Sequence, residues 1–188
     1  MSGLRIIGGS LKGRRLAAPP GLATRPLPDR VKQALFDWLG QRLDGLVVAD
    51  CCAGSGSFAF EALSRGAARV DAIEPAKAAV AVLRANAAKL GNPPGFVLHA
   101  RPFEAVLPEL RDVDLLFADP PFPWYAGGAA RIATLLRLGA RCLAPGGRLV
   151  IRGERGADLP ALPPGLVVGE RRAYGRSWLA RLERASGA

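Results

Sequence analysis

Cysteine is scarce: Cys51, Cys52 and Cys142 are the three in 188 residues, and two of them are adjacent. An odd, sparse set supplies neither a disulfide framework nor the ligand spacing of a structural zinc. No metal site is expected, and a reducing, cytoplasmic setting fits best. Histidine is scarcer still, His99 being the only one. No apolar run approaches the roughly 20 residues of a membrane-spanning helix. The opening Met1-Ser2-Gly3-Leu4-Arg5 has no secretory pattern. Internal repeats and long low-complexity tracts are also missing. These absences argue against a membrane protein, a disulfide-stapled secreted domain and a zinc module.

Half of the residues are apolar, enough for a sizeable core in a single domain with an appendage. The net charge of +10 is unevenly spread. Residues 1–36 hold seven basic side chains (Arg5, Lys12, Arg14, Arg15, Arg25, Arg30, Lys32) against Asp29 alone. Residues 148–188 have eight arginines against four acids, and residues 37–147 balance at zero. A neutral body with basic ends suggests a catalytic core flanked by phosphate-binding surfaces, and hence a nucleic-acid partner. A generally arginine-rich composition explains 22 Arg against 4 Lys but not the asymmetry.

The stretch Val113-Asp114-Leu115-Leu116-Phe117-Ala118-Asp119-Pro120-Pro121-Phe122 concentrates the chemistry. Five apolar residues among the first six read as a buried strand. Two prolines end it, because proline has no ladder N–H and pushes the preceding residue out of the α region. Asp119 is therefore expected at a strand's carboxyl end, before a stiff turn. Its carboxylate and the Pro120 carbonyl offer two acceptors to the two N–H donors of an exocyclic amine on a planar base. Phe122 is expected as a wall on which the base stacks, worth about 1–3 kcal/mol. That offsets much of the few kcal/mol needed to extrude a base. The bland reading is a strand end with a structural Pro-Pro turn.

A second strand, Gly45 to Asp50, runs into Cys51-Cys52-Ala53-Gly54-Ser55-Gly56-Ser57 and a helix over Phe58–Leu63. Such a glycine-rich turn lets a ligand approach the backbone, and helix N-terminal amides favour negative groups. Asp50 can take a ligand ammonium. Twenty residues after Gly54, Glu74 ends the strand Arg69–Glu74, where an acid binds both hydroxyls of a ribose. Gly54-x-Gly56-x-x-Ala59 with Glu74 also satisfies the dinucleotide fingerprint, so these residues alone do not choose between NAD and S-adenosylmethionine.

Elsewhere, residues 4–17 read as a small hairpin turning at Gly8-Gly9-Ser10, which must dock on the body or order on a partner. Asp29 is the expected N-cap of a helix to Leu39 with Val31, Leu35, Trp38 and Leu39 on one face; Arg30 and Lys32 lie off that stripe. A helix over Lys77–Leu90, a strand Phe96–His99, a helix through Ile132 to Leu143, and a strand Arg148–Ile151 follow. Trp124 and Tyr125 shape a base pocket or a lid. Residues 166–182 read as an antiparallel hairpin turning near Tyr174-Gly175-Arg176. Alternating strands and helices give a doubly wound parallel α/β sheet, whose ligands bind beyond the strand carboxyl ends. Asp50, Glu74, His99 and Asp119 all fall there.

This layout resembles the class I S-adenosylmethionine-dependent methyltransferases, with Asp50–Gly56 as their first motif and Asp119-Pro120-Pro121-Phe122 as the amino-methyltransferase motif. Over nearly the whole chain it resembles the bacterial 16S ribosomal RNA guanine-N2 methyltransferase family, RsmD. The residues that carry this are Arg5-Ile6-Ile7-Gly8-Gly9 with Lys12-Gly13-Arg14, Arg25-Pro26 with Asp29-Arg30-Val31, Leu35-Phe36, Cys52–Gly56, and Glu61–Ala67. The resemblance implies a Rossmann-like, mostly parallel seven-stranded sheet with a C-terminal antiparallel hairpin and a small N-terminal β-hairpin extension. It implies a basic RNA-binding extension over 1–40 and a methyltransferase domain over 41–188. Asp119, Pro120, Pro121 and Phe122 are the implied catalytic set. Asp50, Cys52, Ala53, Gly54, Ser55, Gly56, Glu74, His99, Ala100 and Asp119 are the implied contacts to S-adenosylmethionine. Arg5, Lys12, Arg14, Arg15, Arg25, Arg30 and Lys32 are the implied contacts to RNA. The implied partner is 16S rRNA in a small ribosomal subunit or assembly intermediate, met by a monomer with no membrane association.

Four residues depart from the family. Leu27 stands where a threonine is usual, Lys32-Gln33 replaces Arg-Glu, and His99 replaces the Asp or Asn that binds the adenine amine. A neutral imidazole can still accept one hydrogen bond. The competing functions are a DNA adenine-N6 methyltransferase, which would share the Asp-Pro-Pro-Phe turn, an NAD(P)-dependent oxidoreductase, which leaves that turn unexplained, and a non-catalytic RNA-binding module.

Overall fold

The computed structural model describes residues 4–19 and 28–185. Arg25 and Leu27 lie outside them. Seven strands form one sheet in the order β3-β2-β1-β4-β5-β7-β6. β1 (Val47–Cys51), β2 (Arg69–Ile73), β3 (Phe96–His99), β4 (Val113–Ala118) and β5 (Leu143–Glu154) run parallel. β6 (Leu166–Tyr174) and β7 (Ser177–Arg184) complete the sheet as the expected antiparallel hairpin. No helix among the described residues is long and apolar enough to cross a membrane.

Successive side chains of a strand face opposite sides, so each central strand feeds two cores. Val48, Leu115 and Phe117 pack under α1 (Asp29–Leu39), α2 (Ser57–Ser64) and α3 (Lys77–Lys89). Ala49, Leu116 and Ala118 pack under α4 (Phe103–Val106) and α6 (Ala129–Cys142). Because both faces are covered, the strands read as continuous apolar runs. α4 and the short α5 (Pro123–Ala126) are single turns, too brief for helical periodicity to reveal.

The amino-terminal segment is docked rather than free-standing. A lone antiparallel bridge joins Arg5 to Arg15, and the connection turns over residues 8–13, longer than the three residues expected. Ile6 and Leu16 are buried in the same apolar cluster as Leu35, Phe36 and Phe60. The Ile7 and Gly8 N–H groups donate to the two oxygens of Glu61 at 2.8 and 2.7 Å. Gly9 sits at φ +72°, and a Cβ there would lie 1.7 Å from the Ser64 carbonyl oxygen, so only glycine allows this approach.

The α1 face is wider than its expected stripe. Lys32 and Phe36 are buried beside Leu35 and Leu39, while Val31 and Trp38 are half-buried. Asp29 does not cap: Pro28 holds the N-cap position, and the Asp29 carboxylate takes the Arg5 guanidinium at 2.8 Å. Lys32 is corrected from an RNA contact to a core residue. Its Nζ lies 2.5 Å from the Arg5 carbonyl, 3.2 Å from Ser57 Oγ and 3.1 Å from Glu61 Oε2.

Candidate active site

Parallel register brings the strand ends together. Cys51 pairs with Ile73 on one side and Ala118 on the other, and Ile73 pairs with His99. The next residues, Cys52, Glu74 and Asp119, therefore share one edge. The sheet order reverses between β1 and β4, which opens a crevice there. It holds a cavity of about 380 Å³ lined by Asp50, Cys52–Ser55, Glu74, Phe103, Phe117, Asp119, Pro121, Trp124 and Arg131, among others.

The turn after β1 is shaped by backbone geometry. Cys52, Gly54 and Gly56 all have positive φ, at 63°, 56° and 77°. A Cβ on Gly56 would fall 2.6 Å from Leu83 and from Phe60, so glycine lets the turn close onto α3. Cys52 holds a left-handed conformation without being glycine, a local strain of the kind that collects at ligand sites.

Each acid has a fixed set of partners. Asp50, 2% exposed, accepts the Ala59 N–H at 3.0 Å through Oδ2 and satisfies an orphan donor in the first turn of α2. Burial pushes its carboxyl well above the usual range, against that hydrogen bond and with Asp119 and Glu74 adding repulsion. Glu74 accepts the Gly54 N–H at 3.0 Å and the Ala76 N–H at 2.9 Å, tying two loops together. Asp119 is a quarter exposed, and its Oδ2 pairs with Arg152 Nη1 at 2.8 Å. Burial raises the Asp119 carboxyl while Arg152 opposes the rise. Burial likewise raises the Cys52 thiol well above its usual value, with Glu74 and Asp119 adding to it, so the thiol stays protonated.

Several expected residues are not brought together. His99 and Ala100 do not line the cavity; the His99 Nε2 lies 2.7 Å from Asp71 Oδ1 instead. The adenine contact expected of His99 is thus corrected to a contact with a buried strand acid. Phe122 is not a wall of the cavity; its ring lies 5.2 Å from the Arg152 guanidinium, and Pro121 and Trp124 line the cavity in its place. Pro120 is buried and Gly56 faces the body, so neither lines the cavity. Tyr125 is no lid: its hydroxyl donates to the Arg152 carbonyl at 2.7 Å and its ring packs edge-on against Trp178. Lys12, Arg14, Arg15 and Arg30 are exposed as expected.

Two arginines escape the sequence reading. Arg131 stacks its guanidinium 3.9 Å from the Trp124 ring centroid and pairs with Glu104 at 2.7 Å, at the cavity wall. Arg152 lies one residue beyond the strand end read at Ile151; β5 in fact continues to Glu154. The signal that could have found it is register. Ala118 pairs with Ile151, so the residues that follow each, Asp119 and Arg152, are neighbours.

The chain's likeness to known proteins is extensive. Residues 4–183 match the family described as conserved hypothetical protein 95. The ribosomal RNA small subunit methyltransferase D of Escherichia coli K12 is 37% identical over 119 residues, 63% of this chain and 60% of that enzyme's length. The Bacillus subtilis protein YlbH is 30% identical over 183 residues, 94% of this chain and 97% of its own. Among solved structures, Escherichia coli yhhF superposes with a TM-score of 0.80 at 29% identity, covering 97% of this chain and 98% of that one. The fold is that of the class I methyltransferases.

Proposed function

The chain belongs to the conserved hypothetical protein 95 family, and on that premise we propose that it transfers a methyl group from S-adenosylmethionine to the exocyclic N2 amine of a specific guanine in 16S rRNA of the small ribosomal subunit. The observation that carries the reading is Asp119, at the end of β4 in a cavity it shares with Asp50 and Glu74. The E. coli relative's name, ribosomal RNA small subunit methyltransferase D, supports the substrate class.

The cavity's donor set fits the cofactor. Asp50 and Glu74, both in the cavity lining, complement a ligand carrying an ammonium group and ribose hydroxyls. Asp50 would hold the ammonium group and Glu74 the ribose hydroxyls, and the Cys52–Gly56 turn would admit the ligand against its backbone. When bound, S-adenosylmethionine supplies an electrophilic methyl carbon.

Asp119 accepts hydrogen bonds from the amine, whose lone pair is otherwise delocalised into the ring. Those hydrogen bonds localise the lone pair and fix its direction, so the rate gain is mostly orientation and electrostatics. As the N–C bond forms and the S–C bond breaks, leaving a neutral thioether, the Asp119 charge stabilises the ammonium that develops at nitrogen, and its proton then passes to solvent. Trp124, half-buried at the cavity wall, offers the extruded base an aromatic ring in place of Phe122. Arg5, Lys12, Arg14, Arg15, Arg25 and Arg30 hold RNA phosphates, and Lys32 does not. The extension formed by residues 1–40 thereby grips RNA while 41–188 perform the transfer. The expected setting is the cytoplasm, with one copy of the chain meeting a small subunit or its assembly intermediate.

The test is labelled-methyl transfer to small subunits lacking the modification, with the product nucleotide mapped by mass. RNA and DNA are offered side by side, and calorimetry compares S-adenosylmethionine with NAD. Asp119→Ala is expected to abolish transfer and leave cofactor affinity unchanged. Full activity in that variant would end the mechanism.

A further inference from the structure

The side chain of Arg152 is 7% exposed, and each of its three nitrogens is bonded. Its Nη1 donates to Asp119 Oδ2 at 2.8 Å. Its Nε and Nη2 donate to Ser177 Oγ at 3.3 and 3.1 Å, which anchors the guanidinium to β7. Its plane lies over the Phe122 ring, and its own carbonyl takes the Tyr125 hydroxyl. One residue of β5 thus touches the turn from Asp119 to Tyr125 at three points.

Burying a guanidinium costs several kcal/mol unless geometry and partners compensate. A plain structural bridge would join two sealed side chains. Here one partner is sealed and the other, Asp119, keeps a quarter of its side chain open to the cavity. Only one of its two oxygens is taken up by the arginine. We infer that Arg152 is a positioning residue for methyl transfer: held by Ser177, it fixes the Asp119 carboxylate through one oxygen and leaves the other aimed at the substrate amine. This rests on the proposed methyl transfer.

The charge of Arg152 matters as well as its shape. An ionised carboxylate only accepts hydrogen bonds, whereas a protonated one turns an O–H donor toward an amine that also donates. Burial pushes Asp119 toward protonation, and Arg152 opposes it. Asp50, Glu74 and the Cys52 thiol share its cavity and offer no positive charge, and Arg131, which also lines it, is already paired with Glu104. Arg152 is the one cation bonded to Asp119 among the described residues.

The experiment compares Arg152→Gln and Arg152→Lys with the wild type on small subunits lacking the modification. Arg152→Gln is expected to lower kcat about 100-fold, the scale of a small misplacement of a reacting group, with little change in KM for the subunit. The acid limb of its rate profile moves to higher pH, so the deficit shrinks as pH rises. Arg152→Lys recovers part of the rate and a wild-type profile. Carbon-13 titration of the Asp119 carboxylate, in protein without cofactor, gives a readout apart from activity: its midpoint rises in Arg152→Gln. If that variant does not fold, Ser177→Ala removes the anchor and keeps the charge, and it is expected to lower kcat without moving the profile. An Arg152→Gln protein with wild-type kcat and an unmoved Asp119 titration overturns the inference and leaves the transfer reading standing. Equal losses in the Gln and Lys variants, with no change in profile, also overturn it, in favour of a purely structural pair. A wild-type protein that methylates nothing overturns the transfer reading itself, and the inference with it.

Discussion

Lys32 Nζ lies 3.1 Å from Glu61 Oε2, and both side chains are wholly buried. Glu61 also takes Arg65 Nε at 2.9 Å and the two backbone N–H groups of Ile7 and Gly8. One carboxylate therefore joins α1, α2 and the amino-terminal segment. Burial lowers the Lys32 ammonium while Glu61 opposes the fall, the balance expected of a paired buried cation.

Glu61→Ala leaves two buried cations and two backbone donors without their acceptor. It is expected to destabilise the fold by about 3–5 kcal/mol. Urea unfolding checks this, and the amide protons of Ile7 and Gly8 should exchange faster in the variant. A loss below about 1 kcal/mol, the scale of an exposed ion pair, would show that the network contributes little.

Asp50 predicts a pH dependence. Its folded carboxyl lies well above the ordinary value of 3.8, so the group favours folding most when protonated. That contribution is complete below the unfolded value and is lost as pH rises through the folded one. Asp50→Asn cannot ionise and keeps an oxygen for the Ala59 N–H. The variant's melting temperature should match the wild type in acid and exceed it increasingly as pH rises, while its cofactor affinity falls. A difference in melting temperature that stays flat from acid to neutral pH would contradict the assignment.

His99 predicts a structural loss without a binding loss. Among the described residues one oxygen of the buried Asp71 has no partner, and its other oxygen holds Arg69 and His99. His99→Ala removes one of those partners and should cost about 1–3 kcal/mol. Calorimetry should find S-adenosylmethionine affinity unchanged; a clear weakening would restore the imidazole to the adenine site.

The exposed cations of the amino-terminal loop predict a salt dependence. Replacing Lys12, Arg14 and Arg15 together by alanine should weaken RNA binding and lower the slope of log affinity against log salt by about 2–3. Lys32→Met should leave that slope unchanged because the ammonium never reaches solvent. Fluorescence anisotropy over a salt series measures both.

Much of the architecture is local and so could be read from the chain. The apolar run Val113–Ala118 and the two prolines after Asp119 place that acid at a strand end by period and by the missing N–H. Gly54, Gly56 and Glu74 are at the spacing that a strand-turn-helix unit imposes, and the structure puts all three where that unit requires. The limits of such reading show at Lys32, where charge and helical period pointed to solvent. What buries its ammonium is Glu61, which approaches from another helix.

The same contrast separates Asp119 from Arg152. Residue order alone determined that the chain forms a doubly wound sheet with acids at its carboxyl edge, because side-chain period and proline's missing donor act over a few neighbouring residues. Only the assembled sheet decided which groups meet those acids. Arg152 stands 33 residues from Asp119 and reaches it because β4 and β5 lie in parallel register. His99 turns to Asp71 because β2 and β3 lie side by side. Pairing between distant strands is set by packing both faces of the sheet at once, which no local pattern encodes.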